Sequence, residues 1–165
     1  MTELILDSDR TAVLITDPQI DFLKPDSVVW DKVGETVEEN AVVDKLRRLR
    51  DAAAEGDVPV FYSPHEYEDA EYESWEHLNT IDQIMFDTRM FDVAGDGADF
   101  VPELEPDDNT FVLSPHKQLS GFWSNDVGIQ LRQRGIDTLV LAGMSANLCV
   151  ESHLRDAVEN GFEVL

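Results

Sequence analysis

Three side chains in this sequence are of types that together can do covalent chemistry at a carbonyl: Asp17, Lys117 and Cys149. A carboxylate can take and return a proton, an ammonium can hold a negative charge in place, and a thiolate can attack carbon. Cys149 is the single cysteine of the chain and lies in Thr138-Leu-Val-Leu-Ala-Gly-Met-Ser-Ala-Asn-Leu-Cys-Val150. There an apolar β-rich run ends at Gly143, a tight turn follows, and a helical pattern begins near Asn147. This predicts a thiol in the first turn of a helix, where amide N–H groups and the helix dipole favour the thiolate. Each residue also has a structural reading. Cys149 would be a buried packing thiol, Asp17 before Pro18 a turn former, and Lys117 a solvated surface charge.

The elements that must position these residues alternate along the chain. Short apolar runs at 12–16, 58–62, 110–114 and 138–142 read as strands, with a fifth starting at 162–165. Helical patterns span Thr36 to Glu55, Ser124 to Arg134 (Ser124 as cap) and Asn147 to Asn160, the last two closed by Gly135 and Gly161. The alternation predicts one α/β domain over 1–165, with a central parallel sheet and helices on both faces. All carboxyl ends of a parallel sheet share one edge, so Asp17, Lys117 and Cys149, each just past a strand, would meet there. Residues 64–109 break the rhythm. They are acidic and aromatic, and read either as a lid over that edge or as an excursion whose aromatics plug the core. The last strand stops at Leu165 with no helix after it, which predicts a partner subunit over that face or a chain truncated at its C-terminus.

Composition narrows the partners. Thirty-five acidic residues against 12 basic ones give a net charge of −23, spread along the chain rather than gathered in a tail. Such a surface repels nucleic acid and anionic membranes, and it has the make-up of a halophile's cytosolic protein. A lone cysteine allows no internal disulfide and fits a reducing compartment. The start, Met1-Thr-Glu-Leu-Ile-Leu-Asp-Ser-Asp9, has no basic leader, and no window reaches the ~20 apolar residues of a membrane span. A cytoplasmic protein is expected.

Three stretches, in order, resemble one family. Asp17-Pro-Gln-Ile-Asp-Phe22 resembles the Asp-x-Gln-x-Asp-Phe opening of the isochorismatase-like cysteine hydrolases. His116-Lys117 followed by Ser120-Gly-Phe122 resembles their lysine segment, and Gly143-Met-Ser-Ala-Asn-Leu-Cys-Val150 their nucleophile turn. The resemblance covers about residues 11 to 165. It implies a three-layer Rossmann-like sandwich and a triad of Asp17 as general acid/base, Lys117 as electrostatic partner and Cys149 as nucleophile. It also implies a cis peptide between Met144 and Ser145, and an oxyanion hole from the backbone N–H groups of Ser145 and Cys149. The implied reaction is hydrolysis of a small amide or ureide through an acyl-thioester, with no cofactor, in a homo-oligomer.

Two branches of that family fit less well. Nicotinamidases hold a metal with Asp-x-His and a later His. Here the matching stretch is Tyr62-Ser-Pro-His65, the acid is missing, and the next histidine is His77. No metal is expected, and His65 reads as a polar rim residue or hydrogen-bond partner. Isochorismatases proper cleave a vinyl ether and lack the nucleophilic cysteine. Phe22, Trp75, His116 and Phe122 are the candidates for a substrate pocket. Competing readings from other classes are a non-catalytic binding or assembly protein that keeps the fold, and a one-cysteine redox sensor.

Overall fold

The computed structural model describes residues 5–165; Met1–Leu4, part of the start read above, lie outside the described residues. Five parallel strands form one sheet in the order β3-β2-β1-β4-β5: β1 (Thr11–Thr16), β2 (Val60–Ser63), β3 (Thr110–Val112), β4 (Thr138–Gly143) and β5 (Glu163–Val164). The central strand β1 is buried along its whole length, as its unbroken apolar run requires. Its side chains divide by parity. Val13 and Ile15 join one core with Val60, Tyr62, Val37, Leu46 and Met85. Ala12 and Leu14 join the other with Phe61, Val127, Leu131 and Ala157. Helices therefore cover both faces, and the expected α/β sandwich is the observed fold.

On the first face lie α1 (Ile20–Leu23), α2 (Trp30–Glu39) and α3 (Val42–Glu55), with α4 (Asp69–Ser74) and α5 (Thr80–Asp87) in the long excursion after β2. On the second lie α6 (Gly121–Ser124), α7 (Val127–Gln133) and α8 (Glu151–Glu159). Two helices expected from sequence are broken. The run Thr36–Glu55 divides at Ala41, which takes φ +47°. Asn40 closes α2 by bonding back to the Thr36 carbonyl through both its backbone and side-chain nitrogens. One stripe thus becomes two, with Val37 buried by α2 and Leu46 and Ala53 by α3. The run from Ser124 is likewise two helices. Ser120, not Ser124, caps α6 through a bond from Phe122 N, and Asn125 accepts from Val127 N to start α7. Among the described residues no helix is long and apolar enough to cross a membrane.

Strand register aligns the edge that matters. Thr16 pairs with Ser63 on one side and Gly143 on the other, so Asp17, Pro64 and Met144 leave the sheet at one level. Gly143 has φ +125°, and a Cβ there would fall 2.1 Å from the Thr16 carbonyl oxygen. Only glycine lets β4 leave the sheet at this angle against β1.

Candidate active site

The first turn after β1 explains its own motif. Asp17 takes φ +50°, a left-handed conformation that aspartate tolerates better than most residues. Its amide donates to Ser63 O at 3.0 Å. Gln19 clamps the neighbouring crossover: its Nε2 donates to His65 O and Ala98 O (2.8 and 2.6 Å), and its Oε1 accepts from His65 N at 2.8 Å. Asp21 accepts from Phe91 N at 2.6 Å and tethers the far part of the 64–109 segment. The three polar residues of Asp17-Pro-Gln-Ile-Asp21 thus place one carboxylate and fasten the two chain segments around it.

The partner of that carboxylate is a histidine. Asp17 is fully buried, and its Oδ1 lies 2.8 Å from His116 Nε2. His116 Nδ1 lies 2.5 Å from the Gln118 carbonyl oxygen. Both neighbours are acceptors, so both ring nitrogens must carry hydrogen, and His116 is an imidazolium facing an ionised Asp17. Burial pushes the Asp17 carboxyl up, but the His116 charge and hydrogen bond outweigh it and hold the group below the usual aspartate range.

Lys117 points elsewhere. Its Nζ bonds Glu71 Oε2 at 2.7 Å and the Glu66 carbonyl at 2.8 Å, over the Tyr67 ring. The expected meeting of Asp17 and Lys117 is replaced by one of Asp17 and His116. Pro115 explains the exchange. Leu113 N bonds Tyr62 O, so a regular ladder would next require the N–H of residue 115 to bond Pro64 O. Proline has no N–H. His116 N makes that bond instead, at 2.8 Å, and pairs in parallel with His65. The one-residue slip turns His116 inward and Lys117 outward.

The thiol sits where the sequence expects it, in a wider turn than expected. Ala146–Val150 forms one π-helical turn, with Val150 N bonding Ser145 O at 3.2 Å, before α8 begins. The Met144–Ser145 peptide bond is cis. Cys149 is buried beside Asp17. Burial pushes its pKa well above the ordinary value, and the charge of Asp17 and a hydrogen bond to it push the same way. The backbone N–H groups of Ser145 and Cys149 act against this, drawing negative charge toward the sulfur. The resting group is a protonated thiol beside a carboxylate, not the free thiolate that a helix terminus alone suggests. That state suits a redox sensor poorly, because oxidation follows thiolate character and exposure.

His153 was not singled out in the sequence. It is fully buried one helical turn beyond Cys149. Its Nδ1 lies 2.8 Å from Cys149 O, and its Nε2 accepts from Gly121 N at 2.9 Å. It is therefore neutral, with the hydrogen on Nδ1. Burial, reinforced by the charge of His116, lowers its pKa to about 4. It ties the nucleophile turn to the segment that carries His116. The signal available in sequence was a histidine four residues after the cysteine, on one helical face.

A cavity of ≈ 180 Å³ opens onto the sulfur. Phe22, Val29, Met85, Met90, Phe91 and Leu148 form much of its wall, with His65, Ser145 and Cys149 among its polar members and Lys32 exposed beside it. Phe22 lines this cavity. His116 lies behind it on Asp17. Trp75 packs against Tyr67 and Phe86, and Phe122 against His153 and Phe162, and neither lines the cavity. The 64–109 segment supplies one wall through Ile81, Met85 and Phe91, while its Tyr67, Tyr72, Trp75 and Phe86 stack on one another. Asp17, His65 and His116 each offer a ligand atom within 4.8 Å of the others, so the three are spaced to hold a metal ion.

Comparison with known proteins gives consistent matches. Residues 11–165 match the isochorismatase domain. An uncharacterized isochorismatase family protein, YwoC of Bacillus subtilis, is 39% identical over 72 residues, which are 44% of this chain and 38% of that protein. Ureidoacrylate amidohydrolase RutB of Methylobacterium radiotolerans is 26% identical over 165 residues, covering 93% of this chain and 63% of that one. The chain spans less than two thirds of the length of these curated relatives. A cysteine hydrolase from Pseudomonas syringae superposes with a TM-score of 0.81 at 23% identity, over 99% of this chain and 75% of that one. N-carbamoylsarcosine amidase from Thermoplasma acidophilum does so with a TM-score of 0.70 at 22% identity, over 94% and 77%.

Proposed function

Because the chain belongs to the isochorismatase domain family, we propose that it is a cysteine hydrolase that cleaves a C–N amide or ureide bond of a small molecule through an acyl-thioester on Cys149. The observation that carries this reading is the buried pairing of a protonated thiol with a carboxylate that His116 holds ionised. A carboxylate held that way is a base waiting for a proton, and the thiol beside it is the proton's source. Substrate binding brings a carbonyl over the sulfur. Asp17 takes the thiol proton as sulfur attacks carbon, and the Ser145 and Cys149 amides receive the developing oxyanion.

Collapse of the tetrahedral adduct breaks the C–N bond, and Asp17 returns the proton to the departing nitrogen. Water, deprotonated by Asp17, then attacks the thioester, which releases the acid and restores the thiol. His116 keeps its hydrogens throughout and supplies the positive charge that the sequence reading gave to Lys117. The relatives named for ureidoacrylate and N-carbamoylsarcosine support an amide or ureide as the substrate class.

The test is mass spectrometry of the protein quenched during turnover of small amides and ureides. An acyl adduct on the Cys149 peptide is expected, with no turnover by Cys149→Ala. Undiminished turnover by the alanine variant rules out covalent catalysis through this sulfur.

A further inference from the structure

Asp17, His65 and His116 stand together at the carboxyl edge of the sheet, and each offers an oxygen or nitrogen within 4.8 Å of the others. All three are essentially unexposed, at 0%, 1% and 0%. Two of their atoms, Asp17 Oδ2 and His65 Nδ1, have no hydrogen-bond partner. Buried polar groups are nearly always satisfied, so two orphans in one cluster point to a ligand.

The far side of each ring is already arranged as it is around a bound metal. His116 Nδ1 lies 2.5 Å from the Gln118 carbonyl oxygen, and His65 Nε2 lies 3.0 Å from the Tyr67 hydroxyl. Tyr67 donates its own hydrogen to the Lys117 carbonyl at 3.4 Å, which leaves its oxygen free to accept from His65. An imidazole that gives one N–H to an oxygen can turn its other nitrogen to a metal, and the outer bond fixes the ring and raises its basicity. For His65 the other nitrogen is the orphan Nδ1. For His116 it is Nε2, which now lies 2.8 Å from Asp17 Oδ1. Two imidazoles and one carboxylate suit a first-row transition ion such as zinc, and not Mg²⁺ or Ca²⁺, which take oxygen ligands. His65 also lines the ≈ 180 Å³ cavity beside Cys149, which gives an ion its way in.

We propose that Asp17, His65 and His116 form a zinc site that switches the enzyme off. An entering ion takes Asp17 Oδ2, His65 Nδ1 and His116 Nε2. The N–H bond at His116 Nε2 breaks, the electron pair of the nitrogen goes to the metal, and the proton leaves to solvent. The charge of the ion then removes the basicity of Asp17, so the Cys149 thiol keeps its hydrogen and sulfur does not attack. Asp17 and His116 lie outside the Tyr62–His65 stretch that matches a nicotinamidase's metal motif, and here the ion competes with the chemistry rather than serving it. The binding stands apart from the hydrolase reading; the arrest rests on it.

The experiment titrates Zn²⁺, and Co²⁺ as its coloured substitute, into the full chain stripped with a chelator. One ion per chain should bind, with the visible bands of cobalt on nitrogen and oxygen. Cys149→Ala should bind it equally, since Cys149 stands outside the group of three. His65→Phe should weaken binding by more than about 100-fold, and Tyr67→Phe, which keeps the ring and drops only the outer bond, by about 10- to 100-fold. His77→Gln, at an exposed histidine elsewhere, should leave binding unchanged. Zn²⁺ should stop hydrolysis of a small amide over the concentrations at which it binds. A chelator should restore the rate, and Mg²⁺ should not inhibit.

Binding that both His65→Phe and Tyr67→Phe leave unchanged, or inhibition by Mg²⁺ equal to that by Zn²⁺, places the ion on the acidic surface and overturns the inference. Full turnover with the ion bound overturns it too. Amide turnover by a chain that binds no ion overturns the inference and leaves the hydrolase reading standing. Cobalt bands in Cys149→Ala that His65→Phe abolishes, with no amide hydrolysed by the wild type, support the metal site and overturn the hydrolase reading.

Discussion

The turn that follows β1 and the segment that follows β3 both deliver a charged group to the buried cluster beside Cys149, and they do it differently. In Asp17–Phe22 each polar residue has one fixed task, and residue type with spacing reveals it: Asp17 faces the thiol, Gln19 holds His65, and Asp21 holds Phe91. In Ser114–Phe122 the task and the residue type part company. The site needs a cation there, the sequence offers His116 and Lys117 side by side, and Pro115 decides between them by removing one amide from the ladder. Ordered strand pairing makes a motif legible. A one-residue slip just beyond a strand end exchanges inside for outside.

Substitutions on the two segments test this contrast. Asp17→Asn removes the base while keeping the shape, and should lower kcat by about 10⁴-fold, the upper end for acid–base catalysis, in steady-state assays on a small amide. His116→Leu strips the carboxylate of the cation bonded to it and should lower kcat/KM by about 10²- to 10³-fold. It should also destabilise the fold by about 3–5 kcal/mol in urea titrations, because it leaves a buried charge unpaired. Lys117→Leu made in parallel sharpens the comparison. If it were the more damaging of the two, the inward residue would be the lysine and the argument from Pro115 would fail.

Stability against pH reads the link between the segments. His153 titrates at about 4 in the fold against an ordinary 6.5. The unfolded chain therefore binds more protons than the native one between these values, so the stabilisation is complete above about pH 6.5 and is lost as pH falls toward 4. About 3 kcal/mol is available from that interval. His153→Gln should flatten the fall, as measured by urea unfolding at pH 7 and pH 5. The smallest effect belongs to Lys117. Its pair with Glu71 is partly exposed, so Lys117→Met should leave kcat/KM within about threefold and stability within about 1 kcal/mol.

The sheet was legible because its strands are continuous apolar runs that nothing else in the chain imitates. Cys149 was legible because Gly143 must stand where β4 turns against Thr16. The break at Ala41 was not, because Val37, Leu46 and Ala53 fit one helical stripe as well as two. His116 was not either, since a loop past a strand has no period from which its inward side can be counted. His153 depends on a hydrogen-bond partner that lies 32 residues away in the chain, Gly121. Such a distance leaves no local pattern.

The Asp17–His116 couple also sets up two electrical compartments. Outside, a surface rich in acid carries most of the chain's net charge of −23, and dissolved ions must shape how firmly that shell coheres. Inside, the couple has no exposed surface and sums to zero, so the salt ions that crowd the shell find no net field to answer. The couple is insulated from the salt of the surrounding solution. Raising salt from 0.1 to 3 M should move the melting temperature while the rate of the acylation step stays put.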